Sequence, residues 1–517
     1  AGLPDAVLQD ALVRLTEAEL VFLRGTPPNA AYIFKHALVQ DSAYSAMLRS
    51  RRQQLHASIA LLLEKRFSET VKATPEVLAQ QFELAGQNEK ATTYWRQAGE
   101  RDLRRFAMKE SIAHYSNALR LVLAMPETVE RDALELDVRL GLGFVQQISH
   151  GPSAQDAEAH YQRALALSQT SSSRGRERFL ASWGLWFNAV MQGAGAETVT
   201  RADALVTIAR EIDDPSLLME AYHAKVPMLL TVPDFTGLSE LAQEVIRLYD
   251  RERHRDHAYY FGGHDARMCA RSFHALGLWG QGLIDQAQRM SWLAVEDARQ
   301  LGHALSQAHA LQRAGMTMML LKDTVACHAV VEELSPLAER NKFPWQRADA
   351  VFFRGWLAAI EMNDGSGIEP MMHSANLPVF APFRSFYFIQ IAEAALRAGQ
   401  LERTTATLDR AATGVKVGAN RFCEPEIHRL RGEVLLAQSR DNVAAAQKAF
   451  GDAMALAARQ SCPVLELRAA NSLARVLGAE GSHQKARDLL APIYARFTEG
   501  FDKSDLQVAE ALLTGLN

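Results

Sequence analysis

Several features of other protein classes are scarce or missing in this 517-residue chain. Cysteine occurs only four times, and the residues are widely separated without CxxC spacing: Cys269, Cys327, Cys423 and Cys462. This pattern excludes a disulfide framework and predicts reduced thiols in a cytoplasmic protein. No apolar run approaches the roughly 18 residues of a membrane span, and no signal peptide is found at the first residue. The absence of an initial methionine suggests a piece of a longer protein.

Charge of one sign and nucleotide-binding motifs are also lacking. The net charge is −4, so no overall field attracts nucleic acid or an anionic membrane. There is no GxxxxGK[ST] phosphate loop, and no paired metal-binding aspartates stand in a cyclase-like strand context. No Ser/His/Asp or Cys/His arrangement can be proposed from the spacing. We therefore predict no catalytic site in this chain and do not expect it to be an enzyme.

What the chain does contain is a repeat, seen most clearly from Tyr94 to Pro126. Small residues stand twelve apart at Gly99 and Ser111, where two helices could approach closely, and Trp95 and Tyr115 could fill the space between them. A proline closes the unit because it cannot continue a helix. This is the pattern of a tetratricopeptide repeat.

The twelve-residue step between small residues recurs through the rest of the chain. It is found at Ala275 and Ala287, Gly355 and Gly367, Ala392 and Thr404, and Ala474 and Ala486. Because each repeat packs only on its neighbours, such an array grows without a central core. We predict an all-α, tetratricopeptide-like α-solenoid over residues 75–517, a superhelix of about ten helix pairs. The regular pairs are placed at 264–301, 304–341, 345–376, 384–414, 421–460 and 464–497.

Residues 1–70 do not follow the repeat. Two β-prone runs, Leu20–Leu23 and Tyr32–Phe34, flank turn-forming residues at 24–29, which predicts a hairpin. Helical spacing precedes the hairpin at Asp5–Thr16 and follows it at His36–Leu48 and Arg51–Phe67. Helices around one hairpin predict a winged-helix-like segment.

Two terminal blocks carry a family resemblance. The block YIFKHALVQDSAYSAMLRSRRQQLHASIALLLE (32–64) resembles the segment that follows the ATPase core in bacterial signalling ATPases of the STAND type. The block RFTEGFDKSDLQVAEALL (496–513) resembles the closing segment of members linked to class III adenylate or guanylate cyclases. Since no room is left for a carboxy-terminal DNA-reading module, the resemblance favours a cyclase-linked parent over a transcription activator.

The resemblance implies a function for the chain as a whole. It would be the regulatory arm of a multidomain signalling ATPase, binding a protein or small-molecule effector and controlling an absent nucleotide switch. ATP or ADP and a divalent metal are expected only in that absent part, and no cofactor is expected in this chain. Its partners would be the upstream ATPase domain and the effector, without nucleic acid or membrane, and a homo-oligomer is left open. The alternatives are a protein-interaction scaffold, a self-assembly module, or the sensor arm of a STAND-type activator.

Two candidate sites follow. In relatives of this ATPase type a winged-helix histidine can touch the β-phosphate of ADP, which implies nucleotide-state sensing by Lys35 and His36; a histidine that caps the next helix is the alternative. The densest polar cluster, from Tyr249 to His274, offers an anion or small-molecule site. Its candidate residues are Arg255, His257, Tyr260, His264, Asp265, Arg267 and Arg271.

Two other interpretations of this cluster were weighed. His254, His257, His264, Asp265 and Cys269 are the right ligand chemistry for zinc. Their spacing matches no zinc signature and the flanking arginines disfavour a cation, so no metal site is predicted. The plainer alternative is a loop between repeats, held by Asp–Arg and His–backbone hydrogen bonds.

Aromatic groups offer one more kind of surface. Trp183 with Trp186, and Phe352-Phe353 with Trp356, could line a groove, although helical spacing favours packing between repeats. The run FAPFRSFYF (380–388) is interrupted by proline and arginine, and we expect part of it to face outward as a docking surface.

Overall fold

The computed structural model describes residues 4–26, 30–151, 155–169, 174–363, 365–417 and 420–516. The chain forms two compact units, Ala1–Gly141 and Leu142–Asn517, which are called unit 1 and unit 2 below. Apart from one small sheet, the regular elements of the described residues are helices, so the predicted all-α solenoid is confirmed. No helix in these ranges combines the length and the apolar character needed to cross a membrane.

Unit 1 begins with the hairpin predicted from the sequence. Strands β1 (Val21–Arg24) and β2 (Ala31–Phe34) pair antiparallel, with Val21 opposite Phe34. Residues 27–29 of the predicted turn lie outside the described residues. Whether the surrounding helices act as a winged helix stays a prediction. The helices are α1 (Asp5–Glu17), α2 (Ala37–Ser45), α3 (Arg49–Arg66), α4 (Ser68–Ala73), α5 (Pro75–Leu84), α6 (Asn88–Arg104), α7 (Met108–Leu123) and α8 (Val129–His150), the last of which continues into unit 2.

The predicted repeat from Tyr94 to Pro126 is confirmed in α6 and α7. Ser111 Oγ donates a hydrogen bond of 2.7 Å to the main-chain oxygen of Gly99, so the two helices touch at the small residues. The buried ring of Tyr115 lies against Gly99 and against Gly141 of α8, where a Cβ at either glycine would overlap the ring. One aromatic side chain therefore joins three helices because glycine faces it from two of them.

Unit 2 continues the helix pairs. The six regular pairs predicted between 264 and 497 are confirmed as α15 with α16 through α25 with α26. The helices are α9 (Gln155–Ser168), α10 (Gly175–Gln192), α11 (Ala196–Ile212), α12 (Pro215–Lys225), α13 (Phe235–Leu248), α14 (Arg251–His254), α15 (Ala266–Gly280), α16 (Ile284–Leu301), α17 (Ala304–Leu321), α18 (Thr324–Arg340), α19 (Pro344–Met362), α20 (Ile368–Asn376), α21 (Arg384–Arg397), α22 (Leu401–Lys416), α23 (Glu424–Gln438), α24 (Val443–Arg459), α25 (Pro463–Ala479), α26 (His483–Tyr494) and α27 (Ser504–Gly515).

Within unit 2, segments far apart in the chain also meet. Arg468 of α25 donates a hydrogen bond of 2.5 Å to the main-chain oxygen of Leu320 in α17. Just before α27, Glu499 accepts a hydrogen bond of 2.9 Å from the main-chain nitrogen of Gln286 in α16. The 3₁₀ turn Pro378–Phe383 packs against α10. These contacts join helix pairs that are not neighbours in the chain.

Candidate functional site

Unit 2 encloses a cavity of about 170 Å³. Side chains of α10, α12, α15 and α17 and of the 3₁₀ turn Pro378–Phe383 form its wall together with the end of α8. A largely apolar cavity with a few polar side chains is typical of sites for small molecules. Apart from histidines, its aromatic lining consists of Trp183, Trp186, Phe187, Phe273, Trp345 and Phe383.

A chain of buried polar side chains forms one side of the cavity. Glu220 and His223 lie one turn apart on α12, and Nδ1 of His223 is 2.9 Å from Oε2 of Glu220. The other carboxylate oxygen of Glu220 lies 2.7 Å from Nδ1 of His257. On its far side, Nε2 of His223 lies 3.2 Å from Nε2 of His264. Three imidazoles and one carboxylate are thus connected without exposed atoms between them.

Cys269 and His309 extend this cluster. One donor atom from each of His223, His264 and Cys269 can be chosen so that all lie within 4.8 Å of one another. The ring of His309 in α17 stacks on His264 at 4.1 Å between centroids, and its Nε2 lies 3.9 Å from Sγ of Cys269. Burial and the charge of His264 lower the pKa of His309 to about 3, so this imidazole is neutral.

A pair of glycines just before His264 sets the position of its ring. Gly262 and Gly263 have φ values of +69° and +77°, which side chains with a Cβ rarely adopt. The turn lets His264 fold back, so that its Nδ1 lies 2.9 Å from the main-chain oxygen of Gly262. A Cβ at Gly262 would also crowd the rings of His264 and Trp183. The backbone therefore directs Nε2 of His264 toward His223.

Two anions are held in this buried cluster. Burial would raise the pKa of Glu220, but hydrogen bonds from His223 and His257 lower it to about 2. Burial would likewise raise the pKa of the Cys269 thiol, but the charges of His264 and His223 and their hydrogen bonds hold it well below its ordinary value. The balance favours a carboxylate and a thiolate.

Arg313 of α17 presents a buried guanidinium to the same cavity. It packs on the rings of Phe273 and Phe383, at 5.2 and 4.3 Å from their centroids. Its Nη1 donates to Sδ of Met316 at 3.1 Å, whereas Nε has no partner among the described residues. No carboxylate of those residues lies within 4 Å of the guanidinium. Burial lowers the pKa of Arg313, and an uncompensated buried charge is costly.

Asp349 of α19 acts on Arg313 electrostatically but does not neutralise it. Its two carboxyl oxygens accept hydrogen bonds from Tyr387, at 2.6 Å, and from Gln312. Burial raises the pKa of Asp349 to about 7 in spite of Tyr387 and Arg313, so the group is partly protonated at neutral pH. The carboxyl of Asp349 is therefore only a partial countercharge to Arg313.

Three indole donors add to this polarity. The indole nitrogens that are buried at the cavity wall and have no hydrogen-bond acceptor in the part of the chain that the structure describes are Nε1 of Trp183, Trp186 and Trp345. Buried indole N–H groups usually find an acceptor. A ligand with an apolar body and an acceptor group could satisfy such donors together with Arg313.

Some of the residues predicted from the Tyr249–His274 cluster lie near the cavity, and others do not. His257 and His264 belong to the cavity cluster described above. Asp265 caps α15 by accepting a hydrogen bond of 2.9 Å from the main-chain nitrogen of Met268, and its other oxygen accepts one of 2.5 Å from Tyr249. Its role is therefore to begin the helix that carries Cys269.

The predicted cations and tyrosine lie away from the cavity. Arg267 and Arg271 form ion pairs of 3.2 and 2.7 Å with Asp297 of α16. Arg255 is exposed, as is Tyr260, with 41% of its surface accessible. Their part in an effector site stays a prediction.

In unit 1, Lys35 and His36 lie between β2 and α2. Nζ of Lys35 is 2.7 Å from Oε2 of Glu19, an exposed pair. His36 is the N-cap residue of α2, as the alternative places it, although its side chain makes no capping hydrogen bond. Nucleotide sensing by these two residues stays a prediction.

The sequence did not single out Glu220, His223 or Arg313. Glu220 and His223 stand three apart on α12 and Arg313 lies on α17, so no local pattern links them to His264. A usable hint is that these titratable residues occupy buried positions of otherwise apolar helices.

The expected outward face of residues 380–388 is wrong. All five aromatic side chains are buried, and their relative exposure does not exceed 7% (Phe380, Phe383, Phe386, Tyr387 and Phe388). Trp183 and Trp186 pack between repeats, as favoured from their spacing, and also line the cavity. Phe352, Phe353 and Trp356 are buried too. These aromatic side chains are thus turned inward.

No protein-family model matches this chain. A protein of Rhizobium meliloti (strain 1021), described as uncharacterized, is 26% identical over 503 residues, which cover 92% of this chain and 47% of that protein. The chain therefore spans about half the length of this relative.

This chain is also similar to helical chains in solved structures. The APC/C hetero-tetramer Cut9–Hcn1 matches with a TM-score of 0.48 and 14% identity, covering 90% of this chain and 94% of that chain. The Rap protein complexed with competence and sporulation factor matches with a TM-score of 0.44 and 13% identity, covering 78% of this chain and 99% of that chain. Yeast Tom70 matches with a TM-score of 0.33 and 11% identity, covering 86% of this chain and 96% of that chain. TM-scores at this level support no inference about function.

Proposed function

We propose that this chain is a regulatory, non-catalytic binding region of a longer signalling protein and that its effector occupies the cavity of unit 2. The observation that carries the proposal is the buried guanidinium of Arg313, which faces this cavity without a carboxylate partner among the described residues. A buried charge without a partner destabilises the fold unless another group compensates it. An acidic effector supplies that compensation.

The cavity wall defines the chemistry of the effector. Six Phe and Trp side chains offer flat apolar contact, and Arg313 with the indoles of Trp183, Trp186 and Trp345 offers hydrogen-bond donors. These features fit a small molecule with an aromatic or aliphatic body and one carboxylate or similar acid. A hydrogen bond to a charged group contributes about 1.5–3 kcal/mol.

The resemblance to STAND-type ATPases supports a regulatory use of this binding. The effector would favour one arrangement of the parent protein over another, with a differential affinity of about 1–3 kcal/mol, and so bias an upstream nucleotide switch. An adenylate cyclase as the output of that switch rests on the resemblance of the terminal blocks alone. The sensor arm of an activator would bind its effector in the same way.

A second candidate is a protein-interaction region, and the surface of the N-terminal segment favours it. Large apolar side chains are exposed on the hairpin and on α2 and at its flanks, among them Phe22, Ile33, Leu38 and Leu48, with Leu38 at 80% accessible. Helices α1 and α2 bury no side chain among the described residues. Exposed apolar patches of this kind mark interfaces. The upstream ATPase domain of the parent is the partner that the resemblance implies.

The effector proposal can be tested with a fluorescent amphipathic anion. Titration with 1-anilinonaphthalene-8-sulfonate should show one saturable site, and indole-3-acetate and decanoate should be compared as competitors. Arg313→Met should weaken this site about 10-fold or more, because one charge-assisted contact is lost. Arg354→Met, on the exposed side of α19, is the matched control and should bind as the parent sequence does.

Two results would decide against a cavity effector. Equal binding by Arg313→Met and Arg354→Met would place the dye elsewhere, for example on the exposed apolar residues of the N-terminal segment. Loss of dye binding in Leu38→Asp with unchanged binding in Arg313→Met would favour the protein-interaction candidate. Light scattering of the same samples reports whether self-association accounts for the apolar surface.

A further inference from the structure

The hydrogen bonds of His223 and His264 determine which of their ring nitrogens carry hydrogen. Nδ1 of His223 faces Glu220 Oε2 and Nδ1 of His264 faces the oxygen of Gly262, each at 2.9 Å. A carboxylate and a main-chain carbonyl only accept hydrogen bonds, so both Nδ1 atoms carry hydrogen. In neutral rings both Nε2 atoms then present lone pairs, and these face each other at 3.2 Å. Two lone pairs at this distance repel each other, so either a proton on one ring or a metal ion must lie between them.

The distances fit a metal ion in that position. Zinc binds imidazole nitrogen at about 2.0–2.1 Å in tetrahedral geometry, which places two such nitrogens about 3.3 Å apart. The observed 3.2 Å is therefore close to one edge of a zinc tetrahedron. Cys269 provides a third donor within 4.8 Å of both, and a thiolate with two imidazoles is a ligand set that zinc accepts.

The surroundings also match those of metal-binding histidines. Such residues almost always donate their other ring nitrogen to a carboxylate or a main-chain carbonyl, which orients the ring. Glu220 and the oxygen of Gly262 play these parts, and Glu220 is itself held by His257. A divalent cation, unlike a proton shared by the two rings, would also be held by the Cys269 sulfur, which lies within 4.8 Å of both nitrogens.

We propose that His223, His264 and Cys269 form a binding site for a zinc-class divalent ion at the wall of the unit 2 cavity. All three residues line the cavity, so the ion is reachable from it. This set differs from the zinc donors weighed from the sequence. His254 is turned to Ser216 and His257 to Glu220, and only His264 and Cys269 remain from that group. The site does not depend on the identity of the organic effector.

Cobalt(II) is the probe for the test, because it replaces zinc and absorbs light. The full chain, stripped with a chelator and reduced, is titrated with Co²⁺ and then with Zn²⁺ against a chromophoric chelator. We expect one equivalent of Co²⁺, a near-ultraviolet thiolate charge-transfer band, and displacement of the band by Zn²⁺. Cys269→Ser should remove the band. Cys462 is also buried and directly precedes α25, so Cys462→Ser is the control and should keep the band.

Second variants separate ligands from positioning residues. His223→Gln should weaken zinc binding by about 100-fold or more, whereas Glu220→Gln, a positioning residue, should weaken it about 10- to 100-fold and keep the charge-transfer band. X-ray absorption of the zinc-loaded parent chain covers the case in which a variant does not fold. It should show one sulfur at about 2.3 Å and nitrogens at about 2.0–2.1 Å. A shell without sulfur, binding well below one equivalent, or a band that persists in folded Cys269→Ser would overturn the proposal.

Discussion

Nζ of Lys503 lies 3.1 Å from Oδ2 of Asp323, although 180 residues separate them. Lys503 immediately precedes α27, and Asp323 caps α18 by accepting a hydrogen bond of 2.9 Å from the main-chain nitrogen of Ala326. Nearby, Lys322 lies 3.4 Å from Oδ1 of Asp505 in α27. Repeat packing joins only neighbours, and these ion pairs add a contact between the last helix and the middle of unit 2.

The first prediction concerns this long-range pair. Lys503→Met and Asp323→Asn should each lower the stability of unit 2, and a double-mutant cycle should give a coupling of about 1 kcal/mol, since both side chains are mostly buried. Asparagine keeps the capping oxygen, so the cycle isolates the ion pair. Urea unfolding followed by far-ultraviolet circular dichroism measures it. Additive effects of the two changes would contradict a direct interaction.

The second prediction concerns the small residues that define the repeat. A Cβ at Gly367 would overlap the main-chain oxygen of Gly355, so Gly367→Ala should force the helices apart and cost about 1–3 kcal/mol or more. Gly451 in α24 is the control, because a Cβ there meets nothing within 4 Å. Gly451→Ala should instead stabilise the helix by about 0.5–1 kcal/mol. Thermal unfolding should therefore shift in opposite directions, and equal shifts would reject the close approach.

The third prediction concerns two buried arginines with opposite surroundings. Arg313 has no carboxylate within ion-pair distance among the described residues, so Arg313→Met should raise the stability of the ligand-free protein by about 1–4 kcal/mol. Arg468 lies 2.6 Å from Asp505 and donates to Leu320, so Arg468→Met should lower stability by about 3–5 kcal/mol. Differential scanning calorimetry compares the two. A loss of stability in Arg313→Met would show that its ring contacts outweigh the cost of its burial.

The fourth prediction concerns pH. The pKa of Asp349 is raised from 3.8 to about 7 by burial, so the native state holds a proton that the unfolded state has already released between these values. The stability that this carboxyl contributes should therefore fall as pH rises from about 4 to about 7, by roughly 1 kcal/mol per pH unit, and change little above that. Asp349→Asn removes this dependence.

Urea unfolding of the parent chain and of Asp349→Asn at several pH values tests this dependence. The difference in unfolding free energy, parent minus variant, should decrease with rising pH across that window. Arg313 and Tyr387 are the other titratable groups that act on Asp349, and the pKa of Tyr387 is raised further away from this window by burial and by Asp349. Parallel curves would mean that Asp349 is ionised in the native protein.

Much of the fold could be predicted because helix pairing is local. The twelve-residue step between small residues and the buried Trp95 and Tyr115 specify how one helix meets the next, and the structure confirms those contacts. The prediction that part of residues 380–388 faces outward was wrong. It was drawn from the proline and arginine that interrupt the aromatic run, and the sequence does not show that distant helices cover this run.

The amino-acid sequence by itself thus determined the helices, their pairing and the glycine turn before α15, since each depends on residues close together in the chain. Only the tertiary structure decided the site. His223 and His264 are 41 residues apart, and Arg313 comes from a third helix. Their meeting depends on how successive pairs stack, which follows from the packing of all intervening side chains and from no local pattern.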